Sequence, residues 1–166
     1  MTQMASRKLE LIVSLVVVVL DQITKAMIRP MLSLHESREV IPGFLDLTRV
    51  HNTGAAFGML NSAEFPFKTL VLSLVAATAL AGVAWYALTV PLTDRLARLG
   101  IAGVLGGAIG NLIDRASAGY VLDFVDVYWG TWHFWAFNVA DAAITVGVIF
   151  MILDILGLGR RASNPV

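Results

Sequence analysis

"FNVADAAITVGVIF", residues 137–150, reads as an apolar helix entering a membrane, except that its fifth residue is Asp141. A charged side chain near the middle of a bilayer costs about 2.5–3.5 kcal/mol on insertion scales, and such residues face a bundle interior or a cavity. A local account also exists. Asn138 is a good N-cap, and a carboxylate three residues later lies in the first helical turn, where the dipole contributes about 0.3–1 kcal/mol. Whether Asp141 only caps its helix or belongs to a larger polar site depends on the rest of the chain.

The 166 residues are 57% hydrophobic and 14% charged, too apolar for an ordinary soluble domain. Four stretches are long enough to cross a hydrocarbon core of roughly 30 Å, at about 20 residues per span. They are 9–28, 67–88, 96–113 and 139–158. The composition therefore predicts a mainly α membrane protein, one domain over 1–166 with four transmembrane helices. Between the spans lie an outer segment at about 36–60 and an outer loop at about 114–138. The first span resembles a secretory signal, with Arg7 and Lys8 ahead of an apolar run. It carries Asp21 and Lys25, however, and no small-residue cleavage site follows, so it is read as a retained helix.

Twelve Lys and Arg balance 12 Asp and Glu, and there is no basic stripe, so no nucleic-acid partner is expected. The absence of cysteine excludes disulfides, thiolate metal sites and a cysteine nucleophile. His35, His51 and His133 are scattered and form no HExxH pattern; each is read as an interfacial or loop residue, and no metal is expected.

Orientation follows from the basic residues. With four spans, both termini and the loop between the second and third helices share a side that carries Arg7, Lys8, Arg95, Arg98, Arg160 and Arg161. Lys25, Arg29, Arg38, Arg49, Lys68 and Arg115 fall on the other side but are spread over longer loops. The denser side is read as cytoplasmic. Tyr128, Trp129, Trp132 and Trp135 form an aromatic cluster suited to the headgroup level in the second outer loop, and Trp85 marks the inner end of the second helix.

The segment "REVIPGFLDLTRVHNTGAAFGML", residues 38–60, opens on a Pro-Gly turn and partly alternates through "FLDLTRV", which predicts a small sheet lying on the membrane. Its continuation from Asn52 through Thr53, Gly54 and Ala55 to Ala56 is small and suits a close approach to another chain. In "GVLGGAIGN", residues 103–111, the pairs Gly103/Gly107 and Gly106/Gly110 at four-residue spacing predict close-packed helix faces. The Lys and Ser/Thr of a phosphate loop are missing.

The polar residues of the spans converge on one end. Asp21 and Lys25 lie near the outer end of the first helix, Asn111, Asp114 and Arg115 end the third, and Asn138 and Asp141 begin the fourth. Asp123 stands in the loop between the last two. Hydropathy alone did not require this, and a shared site below the outer surface is the simplest cause. Asp21 with Lys25 reads as a charge-compensating pair, Asp114 with Arg115 as holding a loop, Asp126 as a solvated loop acid and Asp154 as interfacial. Asp123 and Asp141 remain, flanked by apolar residues and without an adjacent base. Two close carboxylates cannot both ionise cheaply, so such a pair holds one proton, and it can activate a water while protonating an amide carbonyl.

Five blocks, "DQITK" (21–25), "HNTGAAFG" (51–58), "GGAIGNLIDR" (106–115), "VLDFVDV" (121–127) and "FNVADAAI" (137–144), resemble in order the signature blocks of the lipoprotein signal peptidases, or signal peptidase II. The resemblance covers nearly the whole chain. It implies four helices and an outer β-cradle around an aspartic endopeptidase site. The implied reaction removes the signal peptide of a diacylglyceryl-modified bacterial prolipoprotein, cutting just before the lipidated cysteine. It further implies Asp123 and Asp141 as the catalytic pair, and Asn52, Gly54, Asn111, Asp114, Arg115 and Asn138 as residues that bind substrate or shape the site. Asp21 and Lys25 support it structurally. No cofactor or metal is implied. The expected protein is a monomer in the bacterial inner membrane, in contact with lipids, with cytoplasmic termini, a site near the outer face and sensitivity to globomycin.

Three other readings compete. A proton-coupled transporter places its acids near the midplane between repeats, and no repeat is visible here. A serine–lysine peptidase would draw on Ser117 and Lys25, but Lys25 already has Asp21 and no serine sits in a recognisable motif. A non-catalytic assembly factor is the remaining alternative.

Overall fold

Apolar segments in hydrocarbon must satisfy their backbone polar groups internally, which favours helices. The computed structural model describes residues 3–55 and 59–158. Its helices are α1 (Gln3–Met31), α2 (Lys68–Thr89), α3 (Arg95–Ala118) and α4 (Val139–Ile155). Among the described residues, Arg7–Met31, Lys68–Thr89 and Arg95–Ala118 are long and apolar enough to cross a membrane. α4 is shorter, at 17 residues.

α3 is the central helix, packed against α1, α2 and α4. Its glycines make that possible on two faces. A Cβ at Gly107 would press on the Ala140 carbonyl and lie 2.7 Å from Ile144 Cγ1 of α4, while one at Gly106 would lie 2.7 Å from the Ser14 carbonyl of α1. The four-residue spacing in the sequence thus corresponds to two separate helix contacts.

Beside the bundle lies an antiparallel sheet, β1 (Ser37–Ile41), β2 (Leu45–Asn52), β3 (Val121–Trp129) and β4 (Trp132–His133), ordered β1-β2-β3-β4. The sequence located strands only within the first outer segment. Residues 114–138 are not a plain loop: α3 continues to Ala118, and β3 and β4 follow. A bulge hid β3. The amides of Phe124 and Val125 both donate to the Phe137 carbonyl, at 3.0 and 2.8 Å, and this breaks the strict alternation by which a strand is recognised. The pairing of β2 with β3 also shifts register between Leu47 and Val50. As a result Asp123 and Asp126, three residues apart, line the same cleft.

Ile28 and Leu32 at the end of α1 pack with Leu122 and Phe124 of β3, fixing the sheet to the bundle. Arg49 of β2 donates to the carbonyls of Arg29 (2.9 Å) and Leu32 (3.0 Å), groups that the end of α1 leaves unpaired. At the opposite end Arg98, counted above among the side-marking residues, is buried. It donates to the Ala87 and Val90 carbonyls that end α2 and pairs with Glu10.

Candidate active site

Asp141 serves both of the roles that its sequence position allowed. Asn138 Oδ1 accepts from the Asp141 amide at 2.9 Å, and Asp141 Oδ2 accepts from the Asn138 amide at 3.3 Å, forming a capping box. The other oxygen, Oδ1, turns away from the helix and accepts from Asn111 Nδ2 at 2.8 Å. The cap therefore fixes one edge of the carboxylate and leaves the other to join α3.

Asp123 reaches the same place from the sheet. Its Oδ1 accepts from Asn138 Nδ2 at 2.7 Å and its Oδ2 from Asn52 Nδ2 at 3.0 Å. Both amides are oriented by what they accept: Asn138 Oδ1 is committed to the cap, and Asn52 Oδ1 takes the Gly54 amide at 2.9 Å. With their oxygens occupied, their NH2 groups face Asp123. Three asparagines from β2, α3 and the entry of α4 thus hold two aspartates, and Asn138 touches both.

The remaining residues of the predicted site form a second layer. Asp21 Oδ1 accepts from the Ala140 amide at 3.0 Å, so α1 supplies α4 with an additional N-terminal acceptor. Lys25 is completely buried, 2.8 Å from Asp21 and 3.0 Å from Asp114. Asp114 Oδ2 accepts from the Leu122 amide at 3.0 Å, which fixes the start of β3 next to Asp123. Arg115 donates to the Gly54 carbonyl at 3.0 Å. Arg115 thus holds a loop, as its sequence position suggested, whereas Asp114 holds the start of strand β3. Gly54 has no room for a side chain, since a Cβ there would collide with the Met59 carbonyl and lie 2.8 Å from the Asn61 amide. Of the "HNTGAAFG" block, Ala56, Phe57 and Gly58 lie outside the described residues, as do Arg160 and Arg161.

The electrostatics favour one shared proton. Burial pushes the Asp123 carboxyl up to about 7; the charge of Asp141 adds to this, and the Asn52 and Asn138 amides and Lys25 oppose it. Asp21, Asp114, Asp123 and Asp141 stand against Lys25, Arg29 and Arg115, with Arg29 3.2 Å from Asp114. A single proton on the Asp123–Asp141 pair makes this cluster neutral.

Asp123 opens on a cleft of about 770 Å³, lined among others by Thr48, Val50, Asn61, Phe134 and Trp135. One acid sits differently from its sequence reading. Asp126 is a strand residue in this cleft, with Oδ2 2.9 Å from His133 Nδ1, because the β3 bulge turns it inward. Asp154 is buried at 7% exposure because it faces the bundle. Of the two readings given to His51, interfacial or loop, the loop one does not hold: it lies on β2 and stacks on Tyr120 at 3.6 Å between ring centroids. Sequence reasoning passed over Gln22, whose Nε2 donates to Asp21, the Gly110 carbonyl and Asp114, and it gave Arg29 no part in the site, although Arg29 donates to Asp114. Both follow the helical spacing of Asp21 and Lys25 on α1, which is the signal that marks them.

Relatives named lipoprotein signal peptidase share this sequence over most of their length. That of Symbiobacterium thermophilum is 41% identical over 155 residues, covering 93% of this chain and 99% of the relative. That of Syntrophotalea carbinolica is 44% identical over 153 residues, covering 91% and 92%. That of Maridesulfovibrio salexigens is 45% identical over 143 residues, covering 86% and 92%. The fold is similar to that of a bacterial membrane enzyme solved by the in meso method at 2.3 Å resolution, with a TM-score of 0.78 and 29% identity over 96% of this chain and 94% of that one. A second such structure, at 1.9 Å, gives 0.75 and 27% over 90% and 93%. Residues 13–157 match the family described as "Signal peptidase (SPase) II", and the chain belongs to that peptidase family.

Proposed function

We propose that this chain is a membrane-embedded aspartic endopeptidase that removes the signal peptide from diacylglyceryl-modified prolipoproteins, cutting just before the lipidated cysteine. The observation that carries the reading is the pair Asp123 and Asp141, brought from different elements into one network of three asparagine amides at the edge of a cleft. The names of its relatives supply the substrate class.

The chemistry follows from the two environments. Asp123, with its carboxyl held up to about 7 by burial, carries the proton. Asp141, half-buried at the positive end of α4, is the base. A water between them gives a proton to Asp141 while its oxygen bonds to the scissile carbonyl carbon, and Asp123 gives its proton to the carbonyl oxygen. Collapse of the tetrahedral intermediate breaks the C–N bond, Asp141 passes its proton to the leaving amine, and the hydroxyl proton returns to Asp123. A serine–lysine mechanism has no support: Lys25 is fully engaged, and Ser117 Oγ donates back to the Ile113 carbonyl at 2.8 Å. Cleavage is tested with purified protein and one prolipoprotein in lipidated and unlipidated forms. Release of the signal peptide from the lipidated form is expected, and cleavage of neither form removes the reading.

α4 serves as the fourth span: at about 1.5 Å per residue it is roughly 25 Å long, near the lower limit for crossing. All site residues come from one chain, so a monomer suffices. The termini face the cytoplasm of a bacterial inner membrane, and the site lies near the outer face. Reporter fusions after Gly159 and within 91–95 should then report cytoplasm, and those within 35–40 and 127–131 the outer side; an outer C-terminus reverses this placement.

A further inference from the structure

The contacts of Lys25 exceed what charge compensation in a bundle requires. Its ammonium is completely buried and has three donors, and the third, after Asp21 and Asp114, goes to Asn111 Oδ1 at 3.1 Å. An ammonium can only donate, so Asn111 must present its carbonyl to Lys25. Its NH2 is thereby aimed at Asp141 Oδ1, and the carbonyl takes a further contact from Asn138 Nδ2 at 3.3 Å. An amide fixed this way cannot turn over to accept a hydrogen bond from a protonated Asp141.

We propose that Lys25 is a positioning residue for the reaction: through Asn111 it holds Asp141 as the member of the pair that takes the proton from water, leaving Asp123 to give one to the substrate. This rests on the aspartic reading above. The other charged groups around the pair are Asp21 and Arg29 on α1, Asp114 and Arg115 on α3, and Asp126 and His133 across the cleft. Among these and Lys25, Lys25 is the cation bonded to the Asn111 amide that holds Asp141.

The test compares Lys25→Met, Asp21→Asn/Lys25→Met and, as a control, Asp123→Asn, in cleavage of a lipidated prolipoprotein and in melting in detergent. Lys25→Met leaves the Asn111 carbonyl only the longer contact from Asn138 Nδ2, so the amide is less firmly held, and kcat should fall on the order of a hundredfold with KM unchanged. Loss of the positive charge disfavours the ionised pair, so the acid limb of the pH profile moves upward by about one unit. The double variant has the parent's charge balance and keeps an acceptor for the Ala140 amide. It should regain melting temperature and remain slow. A folded single or double variant with the parent's kcat and pH profile overturns the role of Lys25. The control separates the two ideas: an active Asp123→Asn protein would mean that the dyad reading itself had failed.

Discussion

Asp123→Asn and Asp141→Asn should each abolish cleavage of a lipidated prolipoprotein while leaving the protein folded. Asparagine keeps the shape and an acceptor oxygen, so the side chain introduced by Asp141→Asn can still accept from the Asn138 amide and close the cap. If Asp141 were only a dipole complement, its replacement would cost about 0.3–1 kcal/mol of stability and little activity. As half of an acid–base pair it cannot be neutralised without losing the proton transfer, which is worth about 10²–10⁴-fold in rate. If the two aspartates serve one proton-transfer step, Asp141 at the water and Asp123 at the carbonyl oxygen, the double variant should be scarcely slower than either single one. Losses that multiply in the double variant would mean that the two act separately.

The second large effect concerns Asn138, which caps α4 with Oδ1 and holds Asp123 with Nδ2. Serine is about as good an N-cap as asparagine, whereas alanine costs about 0.5–2 kcal/mol at that position. Serine has no second polar atom to reach Asp123. Asn138→Ser should therefore melt close to the parent but cleave on the order of a hundredfold more slowly, and Asn138→Ala should lose both stability and rate. An Asn138→Ser protein with the parent's rate would show that the amide serves only the helix.

What the sequence made legible was what repeats or punctuates. Apolar length gave the helices, the Gly103/Gly107 and Gly106/Gly110 spacings gave the faces of α3, and the Pro-Gly turn before "FLDLTRV" gave the first hairpin. β3 escaped because its bulge at Phe124 and Val125 breaks the period of two, and with it went the inward turn of Asp126. At Asp141 two readings competed, a helix cap and a polar site. The structure joins them, since the two oxygens of one carboxylate divide the tasks. The residues of the candidate site were legible by type and by the end of the bundle they share. Their partners were not: Asn52 and Asp123 are 71 residues apart in sequence, and chain separation carries no distance. Asp21 likewise read as an ion pair with Lys25, while its bond to the Ala140 amide of α4 depends on two helices meeting.

If Asp123 and Asp141 work with one proton between them, the pH dependence of kcat/KM must show it, because that profile reports the free enzyme's ionisations. With the Asp123 carboxyl held up to about 7, cleavage of a lipidated prolipoprotein should decline as pH rises through about 7, where the pair loses that proton. A kcat/KM that stays level or climbs from about pH 6 to about pH 9 would contradict the account.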